Sequence, residues 1–391
     1  MYLRRLTITG CRSLSRIDLP FEHERGEPRL FTVIHGDSAT CKTTLLRMIA
    51  LAAAGPARAA ALVGDAAAYR DPRSDSLPRI EARFDQPGAE VRVTVELPAS
   101  GESLRHQGEP AGFVAAYGAG RALQPPQESD ITDDLGYARV AGVFRRWAPF
   151  GLAFAHGTFG VKVDHAKFVR ALRSALIDRM RMADLVDVRI DPPAEPKTEK
   201  IARTRIRREG NARYYIQGGD VWAVESKQPA RLVVKVGVEM DYERYLYFLD
   251  GDGDVARRSR GGAPADLERF TLRVGAKTVT VPSSALSHGQ QALVALVADV
   301  IGYACVEAGR PLELDAIAGL VIVDDLDLHL DARWQGELVP ALQRAFPRVQ
   351  FVASTRSPSV LTGCKADQVW TLTRDETSGD VVAAPWRAAM H

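Results

Sequence analysis

The chain has 391 residues, enough for one large α/β domain carrying an insertion or for two domains, with ample core in either case. With 51 Lys+Arg against 49 Asp+Glu the formal net charge is +2, so no global field draws it to nucleic acid and any such contact must be local. Its four cysteines, Cys11, Cys41, Cys305 and Cys364, form no C-x-x-C pair, which argues against a zinc site or a disulfide scaffold and fits a reducing cytoplasm.

Met1 to Arg5 lead into alternation rather than the apolar core of a signal peptide, and the Ala-rich Ile49 to Val63 is too short, and interrupted by Gly55 and Pro56, to span a bilayer. A soluble cytoplasmic protein without membrane contact is expected. Leu6-Thr7-Ile8 alternates as a strand, with Cys11 to Leu14 and Ile17 to Leu19 as its hairpin partner. Arg12 falls beside that turn and is most simply a surface arginine. Phe31 to Ile34 is an apolar strand and Leu45 to Ala54 a helix; between them runs His35-Gly36-Asp37-Ser38-Ala39-Thr40-Cys41-Lys42-Thr43-Thr44. Strand, turn and helix in this order make a P-loop. Lys42 is placed for the β/γ-phosphates of ATP and Thr43 for Mg²⁺, with the turn and helix N-terminus, Gly36, Asp37, Ser38, Thr40, Cys41 and Thr44, around the phosphates. The pattern G-x-x-x-x-G-K-[ST] fails at one place, where Cys41 replaces glycine.

Alanines dominate Ala57 to Tyr69 and predict a continuing helix that breaks at Asp71-Pro72. Ile80 to Phe84 and Val91 to Val95 alternate as an antiparallel layer. Phe113 to Arg121 is a core strand ending in a glycine-bracketed turn, where Arg121 either reaches a nucleotide or partner copy or is simply solvated. Residues 125–280 carry no further phosphate motif and form an inserted lobe. In it, Phe168, Leu172, Ala175 and Leu176 mark one helical face, stopped by Asp191-Pro192-Pro193. The basic run Lys197 to Arg213 is first an exposed β-ribbon and second a contact for a nucleic-acid backbone, since no aromatic is interleaved before Tyr214 and Tyr215. Arg231 to Val238 and Tyr245 to Leu249 are strands. Asp250 to Asp254 is a polar turn rather than a calcium loop, because no glutamate follows at the twelfth position. No heptads occur, which excludes long coiled-coil arms.

Leu286-Ser287-His288-Gly289-Gln290-Gln291 opens a buried helix, Ala292 to Cys305, with Ser287 suited to N-cap it. Leu320 to Val323 runs into Asp324 and Asp325, the pattern of a buried parallel strand delivering carboxylates to its C-terminal end. Trp334, Leu338, Leu342 and Phe346 recur every four residues as a helix stripe, before Val349 to Ala353 as the last core strand.

The P-loop, the L-S-x-G-Q segment, the block Val323 to Gln335 and the closing Gln350 to Pro358 occur in the same order in a known family. The chain resembles the ABC-type ATPases of the recombination-repair, chromosome-maintenance and overcoming-lysogenization-defect branch, and particularly the stand-alone ATPases of bacterial anti-phage and retron systems. The resemblance implies an α/β P-loop ATPase fold with a mixed central sheet, an antiparallel β layer and an inserted α+β lobe. It would be organised as a core half 1–124, a lobe 125–280 and a core half 281–391. It implies ATP and Mg²⁺ as ligands and a head-to-tail homodimer or higher oligomer. It also implies the other reading of Arg12, as the neighbour of a nucleotide base or phosphate. In that dimer Ser287, Gly289 and Gln290 face the γ-phosphate held by the other copy, and Asp331 lies at the seam. A separate effector protein, such as a nuclease, toxin or protease, would be held by the lobe.

Asp324 matches the residue that orients Mg²⁺, Asp325 stands where the family has its glutamate base, and Arg356 where it has a histidine near the γ-phosphate. A base one methylene short is misplaced by more than about 1 Å, an error worth on the order of a hundredfold in rate. Arg356 cannot accept a proton at neutral pH, although it can stabilise charge on a phosphate. With Ala39 and Cys41 at glycine positions as well, slow or lost hydrolysis is expected; a fully active ATPase and a pseudo-ATPase scaffold are the alternatives.

Overall fold

The structure is a computed structural model. It describes residues 1–98, 103–119, 134–144, 165–190 and 268–386, and short strands between these stretches. The chain divides into two compact units, one formed by 1–190 with 268–391 and the other by 191–267.

In the larger unit a six-stranded sheet runs in the order Val381–Pro385, Val369–Arg374, Phe31–Gly36, Arg348–Thr355, Ala318–Val323 and Val114–Tyr117. All neighbours are parallel except the first pair. The inner strands are apolar without alternation because both their faces are covered. Arg348–Thr355 is not the last core strand as expected. Two strands follow it, and Val369–Arg374 flanks the P-loop strand directly.

A second, antiparallel sheet runs Leu14–Pro20, Tyr2–Cys11, Arg79–Gln86, Ala89–Glu96 and Arg105–Gln107. It alternates as a one-sided sheet must, with Leu6, Ile8, Ile80, Phe84, Val93 and Val95 turned inward. The helix Lys42–Ala54 is buried at eleven of its thirteen residues, because it packs on strands of both sheets. The mixed central sheet and the antiparallel layer implied by the resemblance are therefore both present. Gln350, fully buried, ties the two: its Nε2 donates to the Leu3 and Arg29 carbonyls at 2.8 and 3.1 Å, and the Leu3 amide donates to its Oε1 at 2.6 Å.

The expected helix through Tyr69 is broken earlier. Gly55, at φ 78°, ends the first helix and Pro56 starts a second, Pro56–Val63, leaving Ala66–Tyr69 as one 3₁₀ turn capped by Asp65. Phe168, Leu172, Ala175 and Leu176 do form one buried face, on a helix His165–Arg173 that widens into a π segment, Ser174–Arg179. It stops there and not at Asp191-Pro192-Pro193, since the strand Leu185–Ile190 intervenes and pairs with Glu268–Val274. That strand in turn pairs with Lys277–Pro282, which leads to the helix His288–Ala308. This helix is long and apolar enough to cross a membrane, yet 67% of its most apolar window is buried within the protein, as for a core helix.

The described elements of the smaller unit are strands, in two four-stranded antiparallel sheets. The basic run is not one ribbon: Thr198–Lys200 pairs with Val255–Ser259 in one sheet, and Ile206–Glu209 pairs with Ala212–Gln217 in the other. Residues 201–205 and the Asp250 to Asp254 turn lie outside the described residues, as do Gly120 and the side chain of Arg121.

Candidate nucleotide site

The P-loop emerges from the C-terminal end of Phe31–Gly36, between the two parallel strands that flank it. At Gly36 an added Cβ would lie 2.5 Å from the Leu372 carbonyl oxygen and 2.8 Å from Thr40 Oγ1, so only glycine fits. Thr40 Oγ1 closes the turn by donating to the Asp37 carbonyl at 2.8 Å, and Lys42 Nζ donates to the carbonyls of Gly36 and Asp37 at 2.6 and 2.7 Å. Burial lowers the Lys42 pKa most, with Arg356 adding to the effect and Asp325 and Asp324 opposing it.

Ala39 and Cys41 have φ of 64° and 61°, the left-handed region that favours glycine. The loop has kept the backbone of a glycine-rich cradle with side chains on it. Cys41 N-caps the P-loop helix without a side-chain hydrogen bond and packs against the hydrophobic core. The cost of losing these glycines therefore lies in the backbone, at roughly 1–2 kcal/mol per residue. Ala39→Gly and Cys41→Gly should each raise the unfolding free energy by about 1 kcal/mol, once the greater chain entropy of glycine is allowed for. Urea titrations of the two variants check this, and unmoved midpoints would mean that neither residue is strained.

Two arginines brace the loop. Arg374 Nη2 donates to the Ala39 carbonyl at 2.7 Å. Arg12 is not a free surface arginine: it donates to the Ala68 carbonyl at 2.9 Å and to Thr44 Oγ1 at 3.2 Å, with its guanidinium carbon 5.3 Å from the Tyr69 ring centre.

The strand Ala318–Val323 brings Asp324 to the loop. Thr43 Oγ1 donates to Asp324 Oδ2 at 2.7 Å and Ser354 Oγ to Asp324 Oδ1 at 2.5 Å. A hydroxyl from the P-loop helix and a carboxylate from the neighbouring strand, in contact, are the donor set that fits Mg²⁺ beside a phosphate. Among the described residues no group of three or more His, Cys, Asp or Glu side chains is placed to hold a metal, so an ion here would complete its shell with phosphate and water oxygens.

Asp325 follows at φ 45°, its amide donating to Ser354 Oγ at 2.9 Å. Burial, then the charge of Asp324, raises its carboxyl pKa; Arg356, the largest opposing influence, lowers it, and Asp327 and Lys42 act more weakly in opposite directions. The Arg356 guanidinium lies 3.8 Å from Asp325 Oδ2 and donates to Ser38 Oγ at 3.2 Å.

Direct contacts thus link Thr43 to Asp324, Asp324 and Asp325 to Ser354, and Arg356 to Asp325 and Ser38, while Lys42 is held on the loop carbonyls of Gly36 and Asp37. Ser287, Gly289, Gln290 and Asp331 are engaged locally instead. Ser287 and Gln290 form a capping box at the start of His288–Ala308, and Asp331 Oδ1 caps Ala332–Ala345 by accepting from the Trp334 amide at 3.0 Å. At Gly289 a Cβ would sit 2.5 Å from the His329 carbonyl oxygen, so glycine is demanded here by close packing. Sequence reasoning missed Ser354, which holds Asp324 and accepts from Asp325, and Thr355, whose hydroxyl donates to Asp327. The available signal was two hydroxyls ending an otherwise apolar strand.

No family model matches the chain. It is 41% identical over 85 residues to the retron Vc95 probable ATPase of Vibrio cholerae, 38% over 91 residues to the Septu protein PtuA of Bacillus mycoides, and 32% over 102 residues to the retron Ec83 probable ATPase of Escherichia coli. These stretches cover 22, 23 and 26% of this chain but only 16, 12 and 19% of those proteins. Among solved structures, an SMC head domain from Thermotoga maritima superposes with a TM-score of 0.43 at 15% identity, covering 99% of this chain and all of that one. An SMC head bound to the C-terminal winged-helix domain of ScpA superposes at 0.47 and 13%, covering 100 and 99%.

Proposed function

We propose that this ABC-type P-loop chain, related to the ATPases named from retron and Septu systems, binds ATP with Mg²⁺, hydrolyses it slowly, and serves as the regulatory subunit of an anti-phage defence complex. The observation that carries the nucleotide reading is the contact of Thr43 and Asp324 beside Lys42, the two halves of a P-loop metal site brought together from opposite ends of the chain. On binding, Lys42 would exchange two loop carbonyls for phosphate oxygens, and Thr43 and Asp324 would hold the ion. Mg²⁺ supplies neutralisation of the phosphate charge. Asp325 is the only candidate base among the residues in direct contact here, and its short side chain supports slow turnover.

Two copies would close head to tail over the nucleotides. Ser287, Gly289 and Gln290, at the start of the helix His288–Ala308, would complete the partner's site, with Asp331 at the seam. The 125–280 lobe would engage a separate effector protein. Nucleic acid is a lesser candidate for it, since the basic run is divided between two sheets.

Calorimetry with ATP and Mg²⁺ on the wild type and Cys41→Gly tests the core of this. Micromolar binding by the wild type is expected. Failure to bind, rescued by the glycine variant, would favour a scaffold that has given up its site. Lys42→Ala should weaken binding by ten- to a hundredfold, the scale of a charge-assisted hydrogen bond; unchanged affinity would place the nucleotide elsewhere.

A further inference from the structure

The sheet formed by Leu185–Ile190, Glu268–Val274 and Lys277–Pro282 treats its two edges differently. The edge strand Leu185–Ile190 carries Asp187, Arg189 and a register shift between Leu185 and Asp187, devices that keep a further strand from adding to it. The edge strand Lys277–Pro282 lacks them. Its charge is confined to Lys277 at one end and its proline to Pro282 at the other, and Thr278-Val279-Thr280-Val281 between them are uncharged β-formers. Lys277 to Thr280 are exposed, Val279 at 45%, and among the described residues the strand pairs with Glu268–Val274 alone.

The hairpin decides which backbone groups are left over. The Arg273 amide donates to the Asp184 carbonyl, so Thr271 and Arg273 turn their backbone toward Leu185–Ile190, and Leu272 and Val274 turn theirs toward the outer strand. There Leu272 faces Val279, and Val274 faces Lys277 across the turn Gly275-Ala276. The amides and carbonyls of Thr278 and Thr280 therefore point away from the sheet. Leu185, Leu272 and Val279 form one row across it, buried at Leu185 and open to solvent at Val279. The row ends unfinished.

We propose that this edge is an interface between two copies of the chain, which add their outer strands to each other, antiparallel, about a two-fold axis at Val279. In that register Thr278 lies opposite Thr280 of the partner subunit, so every outward amide of these residues meets an outward carbonyl. Val279 meets its own counterpart and joins the two apolar rows end to end. Lys277 falls opposite Val281 of the partner subunit, so no like charges face each other. A second copy suits the edge because Thr-Val-Thr reads the same in both directions. Sliding the strands by two residues instead brings in Ala276 of the turn or Pro282, which has no amide to give. Each copy offers one such edge, so the association closes at two chains. Because this strand leads through the turn Ser283–Ala285 into the helix His288–Ala308, the pairing also fixes where the two copies of that helix begin. None of the nucleotide-binding residues takes part.

The experiment is sedimentation of the full chain without nucleotide, so that a nucleotide-driven dimer does not contribute, for the wild type, Val279→Lys, Val279→Glu and an equal mixture of the two variants. The wild type should dimerise reversibly in the range of about 1–100 µM, the strength of a small interface. Either variant alone should dimerise at least about tenfold more weakly, since two like charges then meet on the axis. The mixture should return to within about threefold of the wild type, because this register sets residue 279 against itself, and its recovery also shows that both variants are folded. A wild type still monomeric at about 100 µM, or a dimer indifferent to either charge, would overturn the inference. Weakened variants that do not recover on mixing would overturn the second copy as the occupant of this edge.

Discussion

Asp325→Glu should raise ATP turnover by roughly a hundredfold at saturating nucleotide, the penalty attached to a base displaced by about 1 Å. The rest of the machinery is assembled: Thr43, Asp324 and Ser354 are linked in sequence, and Lys42 lies in the loop. The affinity for Mg²⁺-ATP should therefore change little, and the gain should appear in kcat rather than KM. Aspartate tolerates the left-handed backbone at φ 45° better than glutamate does, so the exchange should cost up to about 1 kcal/mol of stability. Steady-state phosphate release measures the first effect and urea unfolding the second. If the glutamate variant turned over no faster than the wild type, side-chain length would not be what limits the reaction.

Gln350→Leu should destabilise the protein by about 3–5 kcal/mol, through polar groups stranded rather than volume lost. Leucine is close to glutamine in size, but it leaves the Leu3 amide and the Leu3 and Arg29 carbonyls without their partner in a fully buried place. Each such group costs on the order of 1–3 kcal/mol when unsatisfied. Gln350→Glu should be similarly poor, because a carboxylate cannot donate to two carbonyls. Chemical denaturation followed by circular dichroism gives the shift; a loss below about 1 kcal/mol would mean that water takes over the bonds.

Those parts of the fold that announce themselves by unbroken apolar runs ending in charge were legible in the sequence. Phe31 to Ile34 and Leu320 to Val323 are fully buried, so composition alone marks them, and Thr43 and Asp324, which follow them in the chain, are in hydrogen-bond contact. Val369–Arg374 escaped notice because Trp370 and Thr371 are only partly buried and Thr373 and Arg374 face solvent. Its place beside the P-loop strand comes from a pairing that no local pattern encodes. Leu185–Ile190 was hidden in the same way by Asp187 and Arg189.

The early helix break was written in Gly55-Pro56, but the surrounding alanines, strong helix formers, outweighed it. At the site, residue types revealed the chemistry and not the support. Ser354 is one hydroxyl among many, and its role appears only when Arg348–Thr355 is seen to lie beside the Asp324 strand. Cys41 stood out in the sequence only as a departure from the glycine pattern, with a side chain that could burden either the phosphates or the backbone. The structure favours the backbone, since the thiol packs on the core while the residue holds a left-handed conformation.

The pairing of the P-loop strand also governs the order in which the protein can be made. Phe31–Gly36 bonds on one side to Arg348–Thr355 and on the other to Val369–Arg374, and the Leu3 amide waits for Gln350, a separation of 347 residues. At translation rates of 5–20 residues per second, the P-loop strand is made roughly 16–64 s before its first partner strand exists. For that interval two apolar strand edges stand open to any other chain, and closing so long a loop is slow in itself. The strand that carries the phosphate loop is thus synthesised early and covered on its edges only once residues 348–374 have been made.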